Sequence, residues 1–274
     1  AGKSTLSNAL VGQKVSIVTQ KAQTTRTRLR AVVMHEAAQI ILVDTPGIFA
    51  PKQRLDRAMV NEAWLGVDDA DMILLVLDAA RPLNAESEAI LDNLENNKKP
   101  VALVLNKVDK PDAEPDRALN ECFDLFANLD ASDDQLDFPH MYASGRSGWA
   151  DHELDGPRKD LSALFELIVN HVPAPKQIAH VDEDFRMLAT TLGADPFVGR
   201  LLTGRVESGR LKVGQTVQAL SRIGQKIEQF RVTRIQAFRG LASQDIEEAT
   251  AGDIVSLAGM SKATVADTIC ALAV

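Results

Sequence analysis

Three short polar motifs stand in one order along the first half of the chain, each where an apolar run gives way to a loop or a helix begins. "GKST" (2–5) opens a helix-period segment, "DTPG" (44–47) follows the apolar run "QIILV", and "NKVD" (106–109) follows "VALVL". Around them, runs of strand length alternate with helix-period segments. Candidate strands are Leu29–His35, Gln39–Val43, Met72–Leu77, Val101–Leu105 and Pro139–Ala143. This alternation predicts an α/β domain with a mostly parallel sheet, and it puts Asp44 at the carboxyl end of a strand, where such sheets hold ligands.

The residue types at these places suit one kind of chemistry. "GKST" matches the second half of G-x-x-x-x-G-K-[ST], whose backbone N–H groups wrap phosphates while the lysine neutralises them and the hydroxyl binds Mg²⁺. Gly2, Lys3, Ser4 and Thr5 take those positions. Asp44 can hold Mg²⁺ through water, and Gly47 can offer its N–H to a γ-phosphate. Asp109 can accept two hydrogen bonds, from guanine N1–H and the 2-amino group. Adenine lacks that donor pair and would leave the carboxylate unpaired, which disfavours an ATPase. Asn106 is placed to join loops, and the stem of Lys107 to cover the base.

Each motif alone has a bland reading, as a turn or a helix start; their order and placement after strands favour GTP/GDP with Mg²⁺. Thr25, in "QTTRTR", lies where a switch threonine would ligate Mg²⁺ once a γ-phosphate orders its loop, although threonine and arginine in a polar loop are commonly just solvated. Ser144 and Gly145, after the last candidate strand, either present a backbone N–H to guanine O6 or form an ordinary turn. Lys3, Thr25 and Gly47 are the expected catalytic set, and Ser4, Thr25 and Asp44 the expected metal set.

Leu161, Leu164, Phe165, Ile168 and Val172 follow helical spacing, and "PAP" at 173–175 ends the stripe. After Lys176 the pattern becomes short β-like runs separated by glycine turns: "GRLLTGRVESGRLKVGQTVQAL", "KIEQFRVTRIQAF" and "AGDIVSLAG". These predict a small β-barrel, hence two domains over 1–178 and 179–274. Charge divides similarly: 109–160 holds 14 acidic against 5 basic residues, whereas 186–239 holds 10 basic against 3 acidic. A basic module on a chain of net charge −8 points to a polyanion such as RNA, or to an ordinary solvated surface. Cys122 and Cys270 are too few and too far apart for a disulfide framework, which fits a reducing cytoplasm. No apolar run approaches the roughly 20 residues of a membrane-spanning helix. Neither a membrane segment, nor an export leader, nor a DNA partner is expected.

Residues 1 to about 105 resemble the Era family of ribosome-assembly GTPases, through "AGKSTLSNALVGQKVSIVTQKAQTTRTR", "DTPGIF" and "RLDRAMVNEAW". From there on, "FDLFANLDASDDQLDFPHMYASGRSGW", "HVPAP" and "GRVESGRLKVGQTV" through "AGDIVSLAG" resemble BipA, also called TypA, a translation-factor GTPase family. The change falls at "LNKVDK", which both families share, so a joined chain is the economical reading. Together the resemblances imply a P-loop GTPase domain followed by a translation-factor barrel, GTP hydrolysis, and ribosome or ribosomal RNA as partner.

Several features depart from the families. The first half of the phosphate motif, and the strand feeding it, would lie upstream of Ala1. That strand stands mid-sheet in the family order, so its neighbours ending at Val43 and Leu77 are expected to show unpaired ladder groups. The Era resemblance implies an RNA-binding KH domain and the BipA resemblance further domains after the barrel, so the expectation is a chain truncated at both ends. Ile48 stands where relatives carry a water-orienting residue, and Ser144–Gly145 replaces the commoner Ser-Ala. The rival expectation is a non-catalytic fragment that contacts RNA through its barrel and holds nucleotide poorly.

Overall fold

The computed structural model of the chain describes residues 2–18, 25, 28–36, 38–49, 51, 53–95, 99–128, 137–240 and 242–272. Its contacts separate two compact units, 1–173 and 174–274. The 3₁₀ turn over Lys176–His180 therefore belongs to the second unit.

In the first unit the apolar runs become β1 (Leu29–His35), β2 (Ala38–Asp44), β3 (Ile73–Asp78), β4 (Val101–Asn106) and β5 (His140–Ser144). Strands β3, β4 and β5 are parallel neighbours, and β6 (Trp149–Asp151) closes the β5 edge antiparallel. Central β4 is buried from Ala102 through Asn106, as a continuous apolar run between two partners should be. Strands β1 and β2 form a separate antiparallel hairpin, in register from Leu29↔Asp44 to His35↔Ala38. Among the described residues β2 carries a ladder with β1 and β3 a ladder with β4. Their inward side chains nevertheless share one core. Ile40 and Leu42 of β2 pack with Val76 and Leu74 of β3 and with Leu6 and Leu10 of α1 (Lys3–Val11). Burying two leucines stabilises the seating of α1 by about 2 kcal/mol each.

The remaining helices are α2 (Arg54–Asp69), α3 (Ala85–Glu95), α4 (Pro115–Asn128) and α5 (Ser162–His171). Helix α4 opens on proline, whose missing N–H is no loss in a first turn. It buries Ala118, Cys122 and Phe126, four residues apart, in a core with Leu103, Leu105 and Tyr142. Helix α5 buries Leu164, Leu167 and Ile168, and its stripe ends before Pro173.

The second unit is all antiparallel. Its strands are β7 (Arg186–Asp195), β8 (Gly199–Ser208), β9 (Arg210–Lys212), β10 (Thr216–Leu220), β11 (Lys226–Arg231), β12 (Arg234–Arg239), β13 (Ala242–Ile246), β14 (Glu248–Thr250), β15 (Ile254–Ala258) and β16 (Thr268–Cys270). Eight of them run in the order β11-β10-β16-β7-β8-β15-β12-β13, and β9 pairs with β14. The link from β11 to β12 carries the chain from the β10 side of the sheet to the β15 side. Val232 exchanges hydrogen bonds with Gly214 and Gln215 beside β10, while the next residue, Thr233, donates to Ala258 of β15 at 3.0 Å. Met187, Leu202, Val206, Ile235, Leu257 and Ile269 fill the interior.

Four of the ten cations of 186–239 are paired with acids. Arg234 is paired with Asp245, Arg205 with Glu207, Lys212 with Glu248 and Arg210 with Asp182. Three of these four acids lie just outside the 186–239 window, so a count along the chain overstates the positive charge left on the surface.

Candidate functional site

The first unit brings the motif residues together at the carboxyl ends of its strands. Gly2 precedes α1 with φ 86°, a left-handed conformation that glycine adopts without strain. A side chain there would also meet Asn106 Nδ2 at 2.8 Å. No side chain caps this helix start and its first turn holds no acid, so the positive end of the helix is left for an external anion. Lys3 comes next. Burial is the largest influence on its ammonium and lowers its pKa from the usual 10.5, with the charge of Asp44 partly opposing. Its Nζ lies 3.9 Å from where a Cβ on Gly47 would stand, so Lys3 reaches the turn of the second motif. Thr5 follows on α1, partly buried.

Ser4, Thr25 and Asp44 form a chain of oxygens. Ser4 Oγ lies 3.1 Å from Thr25 Oγ1, and that hydroxyl donates to Asp44 Oδ2 at 3.3 Å. Asp44 is 5% exposed, and its other oxygen, Oδ1, is buried with no hydrogen-bond partner among the described residues. A buried carboxylate oxygen with nothing to accept from is costly unless something else satisfies it. Of the segment "QTTRTR", only Thr25 and Arg28 are described. Arg28 is anchored on α2 by Glu62 at 3.1 Å and Asp69 at 2.8 Å, fixing the chain three residues beyond Thr25.

The third motif joins two loops. Asn106, 2% exposed, accepts the backbone N–H of Lys107 and that of Gly145 on Oδ1, each at 2.9 Å. The Gly145 N–H anticipated as a ligand donor is thus used internally in this arrangement. A side chain at Gly145 would stand 3.1 Å from the Leu6 backbone, so that loop lies directly on α1. Ser144, fully buried, accepts the Ser147 N–H on its hydroxyl at 3.1 Å. Asp109 is exposed, in the turn after β4. Ile48 is partly buried beside Gly47.

One residue of the site escaped the sequence reading. Asp78 ends β3 opposite Asn106 of β4, and its carboxylate, 9% exposed, binds the ammonium of Lys107. Burial pushes the Asp78 carboxyl up, but the hydrogen bond and charge of Lys107, with the Ala80 N–H, hold it below the usual 3.8. Its signal was available: "LLVLD" is an apolar run closed by an acid, like "IILVD" before the second motif.

Comparison with known proteins adds to this geometry. Residues 1–107 match the family described as 50S ribosome-binding GTPase, and residues 199–270 match elongation factor Tu domain 2. GTPase Era of Mesorhizobium japonicum is 58% identical over 110 residues, covering 40% of this chain and 36% of its own length. The large ribosomal subunit assembly factor BipA of Bacillus subtilis is 36% identical over 239 residues, covering 87% of this chain and 37% of its own length. The chain thus spans little more than a third of either relative. A crystal structure of Era in complex with MgGDPNP and nucleotides 1506–1542 of 16S ribosomal RNA superposes with TM-score 0.52 at 26% identity, covering 71% of this chain and 70% of that one. High identity confined to the front, with lower identity through most of the chain, is the pattern of a join. The first unit has the fold of a P-loop GTPase domain, similar to Era over about the first 110 residues, the chain is similar to BipA over most of its length, and the second unit is similar to the β-barrel of elongation factor Tu domain 2.

Proposed function

We propose that the first unit binds GTP and GDP with Mg²⁺ and hydrolyses the β–γ phosphoanhydride of GTP, and that the chain acts in ribosome assembly or translation in the cytoplasm. The observation that carries this reading is the Ser4–Thr25–Asp44 cluster with its orphaned buried oxygen. Two hydroxyls and a carboxylate suit a hard cation that takes oxygen ligands. Ser4 and Thr25 would hold Mg²⁺ directly and Asp44 through water; the ion, when bound, neutralises charge between the phosphates. Lys3 and the Gly2 end of α1 bind the phosphate oxygens, the Gly47 N–H meets the γ-phosphate, and Lys107 covers the base. Asp109, free in its turn, selects guanine by its two acceptor oxygens, and Asn106 holds the Ser144–Gly145 loop beside it. Among the described residues no helix is long and apolar enough to cross a membrane.

Residues 179–274 are read as the ribosome-contacting domain and 1–178 as the nucleotide-handling one, with support from the BipA and Era relatives. Because four of the ten cations of 186–239 are paired with acids, the association with ribosomal RNA should rest on others, such as Arg186, Arg222 and Arg239. About three contacts to single-stranded RNA give a slope of log affinity against log salt of roughly −2. A slope near zero contradicts an electrostatic contact.

A second reading, RNA association without turnover, is favoured by Ile48, which cannot orient a water. Phosphate release from GTP, measured with and without ribosomes, separates the two. The proposal expects slow release that ribosomes accelerate; no release in either condition supports the second reading.

A further inference from the structure

We infer that Asp78 is a positioning residue for the nucleotide base, acting through Lys107. This rests on the reading of the first unit as a guanine-nucleotide site. Lys107 has φ 68°, a left-handed backbone that side-chain-bearing residues adopt at a cost, and such strain persists only where surroundings impose it. Two contacts impose it here. Its N–H is held by Asn106 Oδ1 at 2.9 Å, and its ammonium by the Asp78 carboxylate at the end of the neighbouring strand. Between these anchors the aliphatic stem runs past the start of α1, with Cε 3.7 Å from where a Cβ on Gly2 would stand. The stem therefore passes the Gly2 end of the phosphate motif with both of its ends held.

Pre-organisation of this kind strengthens binding because a side chain with four rotatable bonds need not be ordered when the ligand arrives. Asp78 meets the 107–110 turn through the ammonium of Lys107. It is held by β3, paired in register Asp78↔Asn106, so one strand pair sets the spacing between the lysine's two anchors. Arg81, with Nε 3.9 Å from the same carboxylate, is 79% exposed and only skirts the pair.

The test is equilibrium binding of a fluorescent GDP analogue with Mg²⁺ to the full chain, wild type and three variants: Asp78→Asn, Lys107→Met and the double variant. Each single substitution is expected to weaken binding about tenfold, the scale of one hydrogen bond to a charged group. The double variant should bind no more weakly than Lys107→Met alone, because Asp78 then has nothing left to position. A purely structural role for Asp78 would instead give losses that multiply. Wild-type binding of Asp78→Asn, or multiplying losses, overturns the inference and leaves the guanine-nucleotide reading intact. A wild-type chain that binds no guanine nucleotide overturns the reading and the inference together. If Asp78→Asn does not fold, as judged by circular dichroism, the double variant measured against Lys107→Met decides alone: equal affinity supports the inference and weaker binding overturns it.

Discussion

Asn106 Oδ1 accepts the Gly145 N–H at 2.9 Å, joining the loop after β4 to the loop after β5 across 39 residues of sequence. Both groups are buried, so Asn106→Ala leaves a donor with no acceptor. The expected loss is about 1–3 kcal/mol of folding free energy. Urea denaturation followed by tryptophan fluorescence reads it, since Trp64 and Trp149 both lie in the first unit. An unchanged midpoint contradicts the assignment of Asn106 as the link.

Asp44 makes a different prediction, because its Oδ1 has no hydrogen-bond partner among the described residues. Asp44→Asn should leave thermal stability without Mg²⁺ unchanged or slightly raised, since a buried charge is removed. With GDP present, Mg²⁺ should raise the melting temperature of the wild type and not of the variant. Equal Mg²⁺ stabilisation of both would remove Asp44 from the metal site.

Lys3 sets a pH dependence. Its pKa is lowered by burial, so the folded state binds its proton less well than the unfolded chain and the charged lysine burdens stability most below the lowered pKa. That burden fades as pH rises through the lowered value towards 10.5. Nucleotide binding runs the other way, since phosphates favour the ammonium. GDP affinity should fall as pH rises through a point below 10.5, with protons taken up on binding there, and Lys3→Met should bind weakly with a flat profile over the same range. Titration calorimetry in buffers of different ionisation heat measures the uptake. Affinity that rises with pH in this range contradicts a phosphate contact.

In the barrel, Gly204 of β8 faces Ala189 of β7 beside a register shift, and a Cβ there would collide with the Leu188 carbonyl. Gly204→Ala should cost about 3 kcal/mol. The loss should appear in the far-ultraviolet circular dichroism transition and not in tryptophan fluorescence, because no tryptophan lies in the second unit. A shift of the tryptophan transition would mean that the units unfold as one.

Much of this fold was legible in the residues themselves. The apolar runs placed β1 to β5 within a residue or so at each end, and the Leu161–Ile168 stripe marked α5, because one-sided burial writes a period into the sequence. β6 was not legible: three residues are too few for a period, and the strand exists through pairing with β5. β7, among the longest strands in the chain, was missed because only Met187 and Ala189 of its ten residues are buried, so its alternation fades toward the exposed hairpin end. The placement of Gly2 and Lys3 at a helix start and of Asp44 and Asn106 at strand ends could be read from motif and apolar run together. The Asp78–Lys107 pair could not, since it depends on β3 and β4 being parallel neighbours. The pairing of the barrel's cations was not legible for a similar reason, as Asp182, Asp245 and Glu248 meet three of them through space.

The central claim is that the first unit selects guanine through the Asp109 carboxylate while Lys3 and α1 meet the phosphates. Competition against a bound fluorescent GDP analogue, with Mg²⁺, tests it most directly. GTP should displace the analogue at concentrations where ATP does not. In Asp109→Asn, where one acceptor becomes a donor, xanthosine diphosphate should displace better than GDP. Equal displacement of the wild type by ATP and GTP, or no binding of the analogue at all, would contradict the account.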